Sequence, residues 1–234
     1  LEPDRTRSPH DEMFGGDEQH YLAVGRSALA CIRLALELAH ASAPRRILDL
    51  PCGHGRVLRA LRAAWPAAEI TACDLVRDGV DYCARTFGAR PIYSEVDPAR
   101  VPLAPASFDL VWVGSLLTHL DRPAWAAFLD AFHRWLEPRG LLVFSTLGRY
   151  GAYRMEQGVD YGLVSETRAA LLAEFARAGF AYRDYPGQSG YGLALATPAF
   201  VTRELVADRR WRLVTYSEMS WDGHHDVVAL QCVC

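Results

Sequence analysis

From about Tyr21 to His40 apolar residues recur at spacings of three and four, which predicts a helix with one buried face, and Pro44 follows its end. The pattern then shortens. Arg46–Leu50 is a brief apolar run that reads as a buried strand, Gly53 and Gly55 as a turn, and Arg56–Ala64 as a helix stopped near Pro66. Glu69–Cys73 predicts a second strand, Asp78–Phe87 a helix, and Pro91–Glu95 a third strand. Ser107–Val113 is a strong strand, Arg122–Leu136 a helix, and the PRG of residues 138–140 a turn into the strand Leu141–Ser145.

Strands alternating with helices at this spacing require right-handed crossovers, hence an α/β fold with a doubly wound, mostly parallel sheet. The last stretch breaks the rule. Trp211–Ser217 and Asp226–Val233 read as strands whose connection is too short for a helix, so they pair antiparallel as a terminal hairpin. Between Thr146 and Arg210 the chain is rich in Gly and Tyr, with one clear helix, Ser165–Ala178, expected to be capped by Ser165 and closed by Gly179. The organisation expected is a single domain over residues 1–234, with an N-terminal helical cover (1–44) and a small lid or substrate-cover insertion (147–200).

Half the residues are apolar, enough for a real core. A net charge of −3 gives no basic excess for nucleic acid. No apolar run approaches the length needed to span a bilayer. The polar N-terminal segment lacks the pattern of a signal peptide, so a cytoplasmic location is expected; opening on Leu1 rather than Met, the chain reads as a trimmed form. Cysteines at 31, 52, 73, 83, 232 and 234 form no CxxC pair and have no histidine at metal-ligand spacing, so reduced core thiols and no metal site are expected. All 25 basic residues are arginine. Without lysine there is no Schiff base, no bound pyridoxal phosphate and no P-loop lysine.

The segment ILDLPCGHGRVL (47–58) lies where a strand turns into a helix, the place where open α/β sheets bind ligands. Gly53 and Gly55 allow close approach to the backbone. Asp49, just ahead of the turn, would repel a pyrophosphate but suits an ammonium group. Asp74, at the end of the second strand, can accept hydrogen bonds from both hydroxyls of a ribose. Leu58 stands where a dinucleotide fingerprint has its third glycine. A ligand with an amino group and a ribose but no phosphate fits better than NAD.

These residues resemble the first motif of class I S-adenosylmethionine-dependent methyltransferases, and TACDL resembles their acidic second motif. The resemblance covers roughly residues 45–147 and implies a seven-stranded sheet of order 3-2-1-4-5-7-6. It implies S-adenosyl-L-methionine as cofactor and S-adenosyl-L-homocysteine as product. It places Asp49, Pro51, Cys52, Gly53, Gly55 and Asp74 around the cofactor, with Asp97 beside the adenine amino group. Leu75 and Val96 would flank the ring, Gly114 and Ser115 would lie under the methionine part, and His119 matches a histidine frequent there. Pro51 departs from the motif, standing where a glycine is usual and offering no N–H.

The expected activity is methyl transfer to an O or N nucleophile of a small-molecule acceptor. His119 and His224 are the candidate general bases, with His225 beside the latter; Tyr150, Tyr153, Tyr161 and His20 are weaker candidates for the acceptor pocket. Arg26 is a candidate partner for the methionine carboxylate, with a solvated surface role as the plainer reading. Trp112, Phe128, Phe132 and Trp135 read as core. Two alternatives stay open: a non-catalytic cofactor-binding module of the same fold, and an NAD-dependent oxidoreductase.

Overall fold

The helical stripe near the start of the chain becomes α1 (Glu18–Leu38) in the computed structural model, which describes residues 3–233. Asp17 caps it by accepting the His20 N–H at 3.0 Å, and Tyr21, Val24, Ala28, Ile32 and Ala35 form its buried face. Next come β1 (Arg46–Asp49), α2 (Leu58–Ala64), β2 (Glu69–Asp74), α3 (Arg77–Phe87), β3 (Arg90–Tyr93), β4 (Phe108–Val113), α4 (Arg122–Trp135) and β5 (Leu136–Thr146). The ends obey local chemistry. Gly88 closes α3 in the left-handed conformation, and Asp121 caps α4 with Pro123 in its first turn.

The insertion holds α5 (Arg149–Glu156), α6 (Ser165–Ala178), β6 (Phe180–Asp184), β7 (Gly192–Ala196) and α7 (Pro198–Ala207); β8 (Trp211–Trp221) and β9 (His225–Cys232) end the chain. The seven-stranded sheet runs β3-β2-β1-β4-β5-β9-β8, with β1 to β5 parallel and β9 antiparallel to β5 and β8. This is the expected α/β order.

Alternation along the strands splits the core in two. Leu110 and Trp112 of β4 face the layer of α1, α2 and α3, whereas Val111 and Val113 face α4 and α7. A third apolar cluster, including Met155, Leu163, Leu171, Leu193 and Leu195, sits under the insertion.

Three expectations change. The PRG of residues 138–140 does not break the strand: β5 begins at Leu136, and Arg139 absorbs the irregularity with φ +68°. Ser165 makes no side-chain cap, since the N-cap of α6 is Val164, although Gly179 closes the helix as expected. The terminal connection is shorter than read, because β8 runs on to Trp221 through a bulge where Met219 has φ +54°. The periodicity also missed β6 and β7, which pair antiparallel as a separate small sheet. Cys31, Cys52, Cys73 and Cys83 are buried free thiols and Cys232 is buried. Cys234 lies outside the described residues, as do the first two residues of the expected N-terminal cover. Among the described residues no three-residue metal cluster exists, and no helix is long and apolar enough to cross a membrane.

Candidate cofactor and acceptor site

The loop after β1 is pinned by its backbone: the Leu50 N–H donates to the Trp112 carbonyl and the Cys52 N–H to the Cys73 carbonyl, while the Leu50–Pro51 peptide is cis. Gly53 has φ +50° and open space where a side chain would stand, so its backbone faces a cavity. Gly55 differs. A Cβ there would meet the Phe87 ring at 2.6 Å, so Gly55 lets α3 pack close and does not line the cavity.

The cavity, about 600 Å³, opens at the carboxyl ends of β1, β2 and β4. Of the residues expected around a cofactor, Pro51, Cys52, Gly53, Asp74, Gly114, Ser115 and His119 line it. Asp74 is 7 % exposed, and its two oxygens accept the Gly53 N–H at 2.8 Å and the Val76 N–H at 2.9 Å. A carboxylate keeps further acceptor capacity beyond these two bonds. Gly114 is forced by packing, since a Cβ would press on the edges of Trp221 and Trp112 at about 3 Å. Ser115 carries φ +60° and donates its N–H to the Ser145 hydroxyl at 2.7 Å, a sparsely populated conformation held at the cavity wall.

Asp49, at the end of β1 two residues before the lining Pro51, does not itself line the cavity; it is 1 % exposed, and neither carboxylate oxygen has a hydrogen-bond partner among the described residues. Burial first, and the Asp74 charge second, push its carboxyl well above the usual carboxylate range. A buried carboxyl without a donor is rare, and it asks for a donor from outside the chain.

Leu75 and Val96, expected to flank the adenine, are 58 % and 83 % exposed and stand outside the cavity. Asp97 is also outside, accepting the Ala99 N–H at the start of a short turn. Arg26 is exposed on α1 and does not reach the cavity. Trp112, Phe128, Phe132 and Trp135 are buried in the core as expected, though Trp112 also lines the cavity. Tyr150, Tyr153, Tyr161 and His20 do not line it.

The two candidate bases separate. His119 follows β4 in a short helical turn and lines the cavity. Its Nδ1 is 2.9 Å from the Gly192 carbonyl and 3.1 Å from the Tyr185 hydroxyl, and its ring stacks on Tyr191 at 5.0 Å. A carbonyl only accepts, so Nδ1 carries the proton and Nε2 keeps its lone pair. Burial lowers the pKa of this imidazole and holds it neutral. His224 is instead stacked on Tyr161 at 5.7 Å, near the Tyr161 hydroxyl and outside the cavity. Its place in the β8–β9 turn directs it to the insertion rather than to the ligand rim. His225, tilted against Trp221, is pushed down to about 3, by burial first and then by unfavourable charge interactions with His224, His119 and Arg56, so it is neutral at physiological pH.

Sequence reading missed a strap. Residues 10–13 line the cavity, held where the Asp11 carboxylate accepts the Tyr21 hydroxyl and where His10 and His54 both meet Asp78 at about 3 Å. Arg59, 1 % exposed, ties the strap down through the Asp4 and Thr6 carbonyls at 2.9 Å each. No periodicity marks such a segment. His54 and Arg56 lie inside the glycine loop and were legible as neighbours, though not as lining residues.

A parallel sheet ending in an antiparallel hairpin, with a glycine turn and two acids at its rim, defines a class I methyltransferase fold. Residues 47–140 match the family model described as "Methyltransferase domain". The malonyl-[acyl-carrier protein] O-methyltransferase of Laribacter hongkongensis is 37 % identical over 129 residues, 50 % of this chain and 43 % of that protein. The enzyme of the same name from Hahella chejuensis is 34 % identical over 132 residues, 54 % of this chain and 46 % of its own length. The chain thus spans less than half the length of these curated relatives. Among solved structures, a SAM-dependent methyltransferase of Methanosarcina mazei superposes with TM-score 0.56 at 17 % identity, covering 82 % of this chain and 94 % of that one. The fold is thus that of class I S-adenosylmethionine-dependent methyltransferases, and residues 47–140 are similar to their methyltransferase domain.

Proposed function

We propose that this protein transfers a methyl group from S-adenosylmethionine to an O or N nucleophile of a small-molecule acceptor. The observation that carries the reading is Asp49, a buried carboxyl with no donor of its own among the described residues, two positions before Pro51 in the wall of a cavity of cofactor size. It suits the α-ammonium group of a sulfonium cofactor and is unsuited to a pyrophosphate, which also sets aside the oxidoreductase alternative.

Asp74 would hold the ribose hydroxyls and the Gly53 backbone would admit the sugar, with the sulfonium supplying an electrophilic methyl group. The rest of the work falls to positioning, since in-line displacement gains most from holding acceptor and donor aligned. Trp112, Trp221 and Tyr191, with the strap at residues 10–13, narrow the cavity and exclude water. The insertion over residues 147–200 acts as the acceptor cover, because Gly192 and Tyr191 bring it against His119. Relatives named O-methyltransferases favour an oxygen acceptor. His119 Nε2 would then take the hydroxyl proton.

Calorimetry with S-adenosylhomocysteine tests the reading. The protein should bind it, and Asp49→Asn should weaken binding by about tenfold or more, the loss of one charge-assisted bond. The same variant has a second signature. Because the folded-state carboxyl is raised above its ordinary value near 3.8, Asp49 costs stability progressively as pH rises above about 4. Without cofactor, Asp49→Asn should therefore gain stability over the parent as pH climbs toward neutrality. No binding to the parent, or equal affinity in the variant, would reject this function.

A further inference from the structure

Arg56 follows Gly55 in the glycine loop and lines the cavity. It is half-buried, and among the described residues its guanidinium has neither a hydrogen bond nor an ion pair. Other arginines of this chain find partners: Arg59 binds three backbone carbonyls and Arg62 four. The nearby acids are engaged elsewhere. Asp11 accepts from the Tyr21 hydroxyl and the Met13 N–H, and Asp222 faces His20 at 3.6 Å. Burial lowers the pKa of Arg56 by more than the nearby Tyr21, Asp11 and Asp222 raise it, so the loss of water is only partly offset.

A guanidinium offers a planar fork of N–H donors that matches a carboxylate in two parallel bonds. The acids that act on it, Asp11 and Asp222, do so without an ion pair, and its cavity neighbours Trp221, Trp112 and His119, like nearby His225, are neutral. Resting on the methyltransferase reading above, we infer that Arg56 is a carboxylate receptor built into the glycine loop. Two carboxylates can reach it, the α-carboxylate of the cofactor's amino-acid end or a carboxylate on the acceptor. It replaces Arg26 in the role that the sequence suggested for that residue or, with an acid acceptor, sets substrate class.

Two binding measurements on the intact protein and on Arg56→Gln separate the sources. In the first, calorimetry compares S-adenosylmethionine with its decarboxylated analogue, which lacks only that group. If the cofactor's carboxylate is bound, the parent prefers S-adenosylmethionine by roughly ten- to a hundredfold and Arg56→Gln erases the preference. In the second, succinate and benzoate are titrated into protein saturated with S-adenosylhomocysteine, with benzamide as the uncharged control. If the acceptor's carboxylate is bound, an acid binds the parent complex, benzamide does not, and Arg56→Gln loses the acid while holding S-adenosylhomocysteine as before. A parent that fails to bind S-adenosylmethionine defeats the function proposed above. A parent that binds it with no Arg56-dependent preference in either measurement overturns the receptor alone. Removing an unpaired cation should leave the melting temperature of the cofactor-free protein unchanged or raised, and Arg56→Lys, which keeps the charge without the fork, should fall between parent and Gln in both assays.

Discussion

On one wall of the cavity the polar groups are backbone amides and carboxylates drawn from neighbouring stretches of chain, as where the Gly53 N–H reaches Asp74 across 21 residues. Elsewhere in the lining they are the imidazole of His119 and the phenol of Tyr191, and the bond that orients His119 comes from Gly192, 73 residues away. The first wall is set once β1 and β2 pair. The second exists only when the insertion has folded back onto the sheet. Under the proposed function, cofactor recognition would rest on local chemistry, while the acceptor side would rest on tertiary packing and be free to differ between proteins with the same first wall.

The strongest way to break this division is at His119. With an oxygen acceptor, His119→Gln should lower kcat by about 10²–10⁴ while leaving S-adenosylhomocysteine affinity within a few-fold, because glutamine cannot take the proton. The pH profile carries the sign. Burial lowers the imidazole pKa, so the neutral base predominates at the ordinary value of 6.5 and above, and activity should fall only as pH drops below it. Equal losses in cofactor affinity and rate would mean that the two walls are not separate.

Asp74→Ala probes the other wall with a smaller effect. Both oxygens of Asp74 already order the loop through Gly53 and Val76, and the remaining lone pairs would meet the ribose. Affinity for S-adenosylhomocysteine should fall about tenfold or more, as expected for the loss of charge-assisted bonds. A kcat at saturating cofactor within a few-fold of the parent would sharpen the comparison, since the acceptor wall would be intact.

The same division explains what the sequence disclosed. Strand order and the terminal hairpin were legible because each strand carries its own periodicity and the connections are short. Gly53 and Asp74 were legible because their spacing is local. Gly55 stands outside the cavity lining, and the Phe87 ring packed against it, invisible in the spacing, is what requires a glycine there. Leu75, Val96 and Asp97 follow the motif in sequence, yet they stand outside the enclosed space. The strap at residues 10–13 left no pattern, because its position depends on Tyr21, Asp78 and the buried Arg59, all distant in sequence. Antiparallel β6 and β7 were hidden in a stretch rich in Gly and Tyr, whose pairing is decided by the cluster beneath it.

The smallest effect belongs to His224, and it tests whether placement, rather than residue type, decides function. By sequence His119 and His224 were both candidate bases at connections on one rim of the sheet, with His119 favoured because it matches a histidine frequent in the resembled family. The structure separates them by their partners. His119 gives its Nδ1 proton to a backbone carbonyl and keeps Nε2 at the cavity, while His224 lies flat against Tyr161 with Tyr150 at its edge, 6.0 Å between centroids. Burial and the Arg154 charge lower its pKa, so it too is neutral at pH 7; charge therefore does not distinguish the pair. What His224 contributes is packing between the β8–β9 turn and the insertion, and an amide of similar size retains part of that. His224→Gln should thus leave kcat within about threefold of the parent, far from the range expected for loss of a general base. Its cost should appear as a modest fall in melting temperature, of the size of about 1 kcal/mol typical for one half-buried substitution. A hundredfold loss of rate in this variant, with His119→Gln near the parent, would reverse the assignment and place the proton acceptor in the turn.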